Sequence, residues 1–301
     1  MLQGSSMMEP PAQNIPPGKP SWLTKPLSTG RNYDKVVRLL KRHRLETVCE
    51  EARCPNLGEC FARGTATFMI LGRLCTRNCR FCAVTHGTPQ APEPEEPGKI
   101  AQAVRELGLR YAVITSVTRD DLPDGGAAHF AKTISAVKSQ NPSTRVEVLI
   151  PDLKGSYEAL KIVTGASPDV LNHNLETVPR LYQEDRPGAD FERSLALLRA
   201  VKAIKPEMIT KSGLMLGLGE TAQELRAALQ DLVDAGCGAL TLGQYLAPSR
   251  DHHPVIRYVH PDEFSEWAQT AYDMGFRAVA AGPFVRSSFQ AEELFSKASA
   301  A

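Results

Sequence analysis

Six of the seven cysteines fall between positions 49 and 82, in two triads, Cys49-x4-Cys54-x5-Cys60 and Cys75-x3-Cys79-x2-Cys82. An odd cysteine count grouped this tightly does not read as a disulfide framework. Three thiolates on one short loop can take three corners of a cubane iron–sulfur cluster. The fourth iron is then open to a small molecule offering an amine and a carboxylate. Phe81, between the last two cysteines, would shield such a cluster. The same triad completed by His86 gives the alternative, a tetrahedral zinc site. The first triad is too widely spaced for paired C-x2-C zinc ligands. It needs a fourth ligand or an open iron, and His43, the only candidate close by in sequence, reads more simply as part of a basic helix face. Cys237 stands alone and reads as a buried structural thiol.

Loops of this kind need a scaffold. Strand-like runs at Thr65–Leu71, Tyr111–Val117, Arg145–Ile150, Asp169–Glu176, Ile209–Leu218 and Ala239–Leu246 alternate with helical patterns. The helical patterns lie at Ile100–Leu107, Ala128–Ser139, Tyr157–Val163, Phe191–Ile204, Ala222–Ala235 and Asp262–Met274, with apolar residues at three- and four-residue steps. Strand–helix units in series predict parallel strands with helical crossovers. A last strand, Phe276–Val285, leads into a short tail. Polar residues gather toward the ends of four strands: Thr115-Ser116, Asn172-His173-Asn174 with Glu176, Lys211-Ser212, and Gln244. Unpartnered polar groups in a core are costly, so the pattern predicts a ligand cavity at the mouth of a barrel. Lys211, a lone charge there, calls for an anionic partner.

The fold class is therefore α/β: a partial (βα)6 TIM-like barrel over 65–285. A cysteine-bearing extension precedes it over 31–64, behind a disordered, proline-rich lead-in over 1–30, and a tail follows over 286–301. Tyr33–Val48 reads as a helix whose Lys35, Arg38, Lys41, Arg42 and Arg44 form a basic face, either solvated or a docking surface for an acidic partner. Thirty-five basic residues against 34 acidic leave a net charge of +1, which argues against coating nucleic acid or an anionic membrane. No run approaches the roughly 18 apolar residues of a membrane span. Residues 1–20 show neither a secretory core nor an import helix, so a soluble cytoplasmic protein is expected.

The array Cys75-Thr-Arg-Asn-Cys79-Arg-Phe-Cys82 after a first strand resembles the radical S-adenosylmethionine superfamily. That resemblance implies a barrel of the superfamily's type, a [4Fe-4S] cluster on Cys75, Cys79 and Cys82, and S-adenosylmethionine on its open iron. It also implies a glycine-rich contact to the amino end of the cofactor, here Gly125 and Gly126, followed by Ala127 where many members carry Glu. Asn174 and Glu176 are placed on the ribose hydroxyls, and Arg193 either opposite the methionine carboxylate or in a surface salt bridge.

With the first triad in front, the chain strongly resembles the lipoyl synthase family over roughly residues 30 to 290. The resemblance runs through Thr115-Ser116-Val117 with Arg119-Asp120-Asp121, Asn172–Val178, Lys211–Glu220, Gly243–Leu246 and Arg286-Ser287-Ser288. It implies insertion of sulfur at carbons 6 and 8 of an octanoyl chain carried on a protein lysine. These are unactivated C–H positions that no side-chain acid or base can open, so a cofactor-borne radical is required. It further implies a second, sacrificial [4Fe-4S] cluster on Cys49, Cys54 and Cys60 with Ser288 as fourth ligand. Phe289 stands where the family commonly has Tyr. The implied partners are an octanoylated lipoyl carrier and a reductant such as ferredoxin or flavodoxin. A sulfur-inserting enzyme for a free small molecule is disfavoured by the first triad paired with Ser288. A non-catalytic iron–sulfur electron carrier has no need of six βα units with a polar mouth.

Overall fold

A computed structural model describes residues 18–25 and 28–300. Before the barrel come helix α1 (Arg31–His43), strand β1 (Glu46–Thr47) and helices α2 (Val48–Glu51) and α3 (Leu57–Ala62). Then follow β2 (Thr67–Ile70), α4 (Glu96–Leu107), β3 (Tyr111–Ser116), α5 (Ala127–Gln140), β4 (Arg145–Leu149), α6 (Tyr157–Gly165) and β5 (Val170–Asn172). The second half holds α7 (Pro179–Asp185), α8 (Phe191–Ile204), β6 (Ile209–Leu216), α9 (Ala222–Asp234), β7 (Ala239–Gln244), α10 (Pro261–Met274), β8 (Ala278–Gly282) and α11 (Ala291–Ala300).

The strands form one sheet in sequence order; β1 pairs antiparallel with β2, and every later pair is parallel. Among the described residues β8 does not pair back to the first strands, so the barrel is partial, as expected. Helices start and stop where local chemistry directs. Thr221 and Glu224 form a reciprocal capping box at α9, and Asp190 caps α8 by accepting the Arg193 N–H. Gly108 and Gly275 end α4 and α10 in the left-handed region. Strands β2 and β7 are buried along their whole length, as parallel strands covered by helices must be.

Several expectations change. The predicted helix Tyr33–Val48 stops at His43, because Arg44 turns left-handed (φ 54°) and the chain enters β1. The predicted strand Asp169–Glu176 shrinks to three residues, since Glu176 takes a φ of 66° and beyond Asn172 the chain keeps only isolated backbone bonds to β6. The lead-in assigned to 1–30 lies mostly outside the described residues. Within the described part Leu23 is fully buried, and Lys25 bonds Asn56 (2.6 Å) and Glu59 (2.7 Å), so that part packs. The short tail carries α11. Its Leu294 and Ala298 pack on Ala239 and Ala278, and Phe295 meets Tyr111 with ring centroids 5.5 Å apart. The helix thus covers the first residues of β3, β7 and β8, across the open side of the sheet.

Lys211 is not in the mouth. Its Nζ donates to Glu147 Oε1 at 2.8 Å, both side chains being nearly inaccessible, and the Tyr111 hydroxyl donates to Glu147 Oε2 at 2.7 Å. The anion it needs is supplied by β4. Gln244 is likewise structural: its Nε2 donates to the carbonyls of Leu216, Tyr245 and Arg257, and its Oε1 accepts the Val259 N–H. Removing one partner of a buried pair leaves the other uncompensated. Lys211→Met should therefore cost about 3–5 kcal/mol in urea unfolding, and Lys211→Met with Glu147→Met should recover most of it.

Candidate active site

The Cys75–Cys82 loop leaves the C-terminal end of β2 and is anchored repeatedly. Cys75 N–H donates to the Thr85 carbonyl, and Thr76 donates to the Thr118 carbonyl through both its backbone N–H and its hydroxyl. The Cys75 sulfur accepts the Thr118 N–H at 3.3 Å. Farther along, Arg80 N–H donates to the Asp185 carbonyl, and His252 Nε2 stands 3.1 Å from the Cys82 carbonyl. His86 runs alongside Cys75 as a backbone bridge.

Inside the triad, Arg77 spans two carboxylates. It reaches Asp120 through Nε (2.7 Å) and Nη2 (3.0 Å), and Asp152 through Nη1 (3.0 Å) and Nη2 (2.8 Å). Arg193 joins them, with Nε 2.8 Å from Asp152 and Nη2 donating to the Gly188 carbonyl at 2.7 Å. The guanidinium expected opposite the methionine carboxylate is therefore committed to Asp152, and it lines neither cavity described below. Burial opposes ionisation of Asp152, but the hydrogen bonds and charges of Arg77 and Arg193 outweigh it and hold the carboxyl well below its usual range. A depressed carboxyl stabilises the fold fully above its unfolded pKa, roughly 3.9, and that stabilisation is lost as pH falls through the folded value. Asp152→Asn should thus lower the denaturant midpoint at neutral pH and flatten its decline below about pH 4.

The first triad sits on α2, the turn after it and α3. Cys54 N–H donates to the Cys49 carbonyl, and Cys60 N–H to the Asn56 carbonyl. All three thiols line a cavity of about 120 Å³, together with Arg63, Tyr111, Arg286, Ser288 and Phe289. The far end of the chain is drawn in by Asn56, whose Nδ2 donates to the Phe284 carbonyl at 2.7 Å. Lys25 Nζ lies 5.0 Å from the Phe289 ring centre, a cation–π contact that asks for no phenol hydroxyl. His43 faces Glu106 at 3.0 Å.

A larger cavity, about 390 Å³, adjoins both triads. Cys49, Cys54 and Ser288 line it together with Phe81 and Cys82, as do Asn174, Glu176, Thr241 and Ser287. Its apolar wall is Leu149, Leu214, Met215, Leu246 and Val285. Asn174 Nδ2 donates to Glu176 (2.9 Å) and to Ser287, which occupies one of the two serines; the Asn174 Oδ1 is buried without a partner. His173 donates from Nδ1 to the Ile150 carbonyl (2.8 Å), leaving Nε2 a bare, buried acceptor; burial and Arg186 push its pKa down to about 4. Burial pushes Glu176 up, against the pull of Arg186 and Asn174. Gly125 and Gly126 lie ahead of α5 at positive φ, and a Cβ on Gly126 would stand 2.4 Å from Leu71 Cδ1. Neither glycine lines these cavities.

The cysteines are all free thiols. Burial pushes Cys49 and Cys82 up to about 12 and Cys60 up to about 11, so loading of metal must displace protons. The donor chemistry fits iron–sulfur clusters, and the orphaned Asn174 Oδ1 on the wall of the larger cavity fits a polar ligand beside them. Cys237, 4% exposed and packed against the Thr210 and Ala239 carbonyls, is structural.

Two residues at the site were given no role by the sequence. Arg186 donates to the Asn174 and Leu175 carbonyls and to the Tyr182 hydroxyl; burial works against its charge, but Tyr182, Glu176 and Cys79 outweigh it. Arg286 lines both cavities; burial pulls its pKa down, against Cys54 and Glu176. The only signal for Arg286 was its place before two serines.

The profile of the Radical SAM superfamily matches residues 69–232. The fold agrees with solved structures at low identity. HydG, a maturase of the [FeFe]-hydrogenase, aligns with TM-score 0.54 and 16% identity over 90% of this chain and 61% of its own. Methylornithine synthase (PylB) aligns with TM-score 0.51 and 13% identity over 84% and 72%. SuiB of Streptococcus suis, bound to its precursor peptide, aligns with TM-score 0.54 and 10% identity; this chain covers about half of it (49%). The chain belongs to the radical S-adenosylmethionine superfamily.

Residues 13–54 match the N-terminal domain of lipoyl synthase. Lipoyl synthase of Desulfotalea psychrophila is 58% identical over 93% of this chain and 94% of its own. That of Nitrosomonas eutropha is 55% identical over 91% and 88%, and that of Caldicellulosiruptor bescii 54% over 91% and 94%. Within the superfamily, the chain belongs to the lipoyl synthases. It is accordingly a sulfurtransferase that uses S-adenosylmethionine and two [4Fe-4S] clusters to insert sulfur into octanoylated carrier proteins. Membership sets aside the zinc and electron-carrier alternatives.

Proposed function

We propose that Cys75, Cys79 and Cys82 hold the cluster that binds S-adenosylmethionine, and that Cys49, Cys54, Cys60 and Ser288 hold the auxiliary cluster. The observation that supports this division is that Cys49, Cys54, Cys60 and Ser288 together line the smaller cavity, which Cys75, Cys79 and Cys82 do not line. When bound, these groups supply a carbon-centred radical strong enough to break an unactivated C–H bond, and the sulfur that replaces the hydrogen. The chain supplies position and shelter. Leu149, Leu214, Met215, Leu246 and Val285 take the acyl chain and keep water away from a reactive carbon. Asn174 and Glu176 face the same space, in reach of a ligand's hydroxyls. Arg53, which also lines it and donates to the Pro248 carbonyl, marks the side from which the carrier's lysine enters.

Gly125 and Gly126 order the loop ahead of α5, and Arg193 acts through Asp152 on the Arg77 loop. Ferredoxin or flavodoxin is the proposed reductant and the cytoplasm the proposed location; unpaired thiols suit a reducing compartment, and among the described residues no helix is long and apolar enough to cross a membrane. The test is anaerobic turnover with an octanoyl-lysine peptide of a lipoyl domain, S-adenosylmethionine and a reductant, read by mass spectrometry. The expected product has gained two sulfurs. Release of 5′-deoxyadenosine with no sulfur transfer to peptide, but with transfer to a free small molecule, would overturn the substrate assignment.

A further inference from the structure

Arg286 is out of balance with its surroundings. Its guanidinium lines both cavities, yet its only side-chain hydrogen bond among the described residues runs from Nη1 to the carbonyl of its own neighbour Val285, at 2.7 Å. It forms no ion pair with any carboxylate among the described residues, whereas the enclosed cations Arg77, Arg119 and Lys211 each have at least one. Arg186, the other enclosed guanidinium without a carboxylate, at least reaches three oxygen acceptors. Arg286 is half-buried, and both cavities reach it. Strand β7 makes room for it: a Cβ on Gly243 would lie 2.1 Å from the Val285 oxygen and 3.2 Å from Arg286 Nη1.

A permanent positive charge enclosed without a counter-ion is costly, and an anion in the space it faces removes that cost. Three thiolates and a serine oxygen around a four-iron core make such an anion, and Cys54 and Ser288 line both cavities with Arg286. We infer that Arg286 is the fixed counter-charge of the auxiliary site, raising the reduction potential of the cluster held there and slowing its loss. Nearby charge is one of the factors that set a cluster's potential, and a positive charge favours the more negative, reduced state.

The inference rests on the proposed assignment of Cys49, Cys54, Cys60 and Ser288, which iron analysis tests separately. The full chain carrying Cys75→Ala, Cys79→Ala and Cys82→Ala should keep about four irons, and their absence overturns both readings. In that background the midpoint potential and the rate of iron removal by a chelator are compared for Arg286, Arg286→Lys and Arg286→Gln. Arg286→Gln should lower the midpoint and speed iron loss about tenfold, while Arg286→Lys stays close to the parent. Failure of Arg286→Gln alone to retain iron supports the same assignment. Equal values in all three proteins overturn it, as does equal loss in both variants, which makes Arg286 a packing residue. In the enzyme with both triads intact, affinity for S-adenosylmethionine should stay within about twofold in Arg286→Gln; a tenfold weakening with an unshifted midpoint puts the cofactor's carboxylate opposite Arg286 instead.

Discussion

Replacing Cys49, Cys54 and Cys60 together by Ala is expected to stop sulfur insertion while 5′-deoxyadenosine is still released from S-adenosylmethionine. Replacing Cys75, Cys79 and Cys82 is expected to abolish both. The two triads have separate supports. The first depends on local bonds of α2 and α3, such as Cys54 N–H to the Cys49 carbonyl. The second hangs from β2 and is tied to Thr85, Thr118, Asp120 and Asp152. Nothing in the second set is lost when the first triad becomes alanine. Iron after anaerobic reconstitution should fall from about eight per chain to about four in either triple variant. Full sulfur insertion by the Cys49/Cys54/Cys60 variant would reduce that triad to a structural role.

The second large effect comes from one methyl group. Residues 285–288 lie directly on two bare strand positions, Gly243 of β7 and Gly213 of β6. A Cβ on Gly243 would meet the Val285 oxygen at 2.1 Å, and one on Gly213 would meet Thr241 Oγ1 at 2.4 Å and Asn174 Oδ1 at 3.1 Å. The first clash is with backbone and cannot be relieved by a rotamer change. Gly243→Ala should therefore displace Arg286 and Ser288 together and reduce sulfur insertion by about 10²-fold, the usual cost of misplacing a site by an ångström. Far-UV circular dichroism and 5′-deoxyadenosine release should be retained, and about four irons should be lost. Gly98→Ala, in α4 with open space around it, is the control, and should gain roughly 0.5–1 kcal/mol. Retention of all iron by Gly243→Ala would show that the terminal segment does not hold the auxiliary site.

Much of this was legible in residue order. The βα alternation, the bounds of α8 and the two triads are local signals, written in periodicity, caps and spacing. Helix α7 was missed although Pro179 at its first turn announces it. Helix α11 was missed because its docking surface, Ala239 and Ala278, lies on strands remote in sequence. Polarity located the site only in part. Asn174 and Glu176 do line the cavity, but Lys211 has the same polar look and belongs to Glu147, 64 positions away. Which polar residue is satisfied depends on the neighbouring strand, and strand register is invisible in one chain read alone. For the same reason the isolation of Arg286 had no signature, since a missing partner leaves no trace in sequence.

The bond from Asn56 to the Phe284 carbonyl joins positions 228 apart, and it closes the chamber around cysteines that leave the ribosome early. Synthesis therefore imposes an order of events. Cys49, Cys54 and Cys60 emerge before any barrel strand of the parallel series, and their chamber gains its last wall only when residues 286–293 follow. During that interval the thiols are open to solvent, to oxidants and to stray metal. A nascent or truncated chain ending before Phe284 would leave them exposed, so closure of the site waits on the segment that begins there.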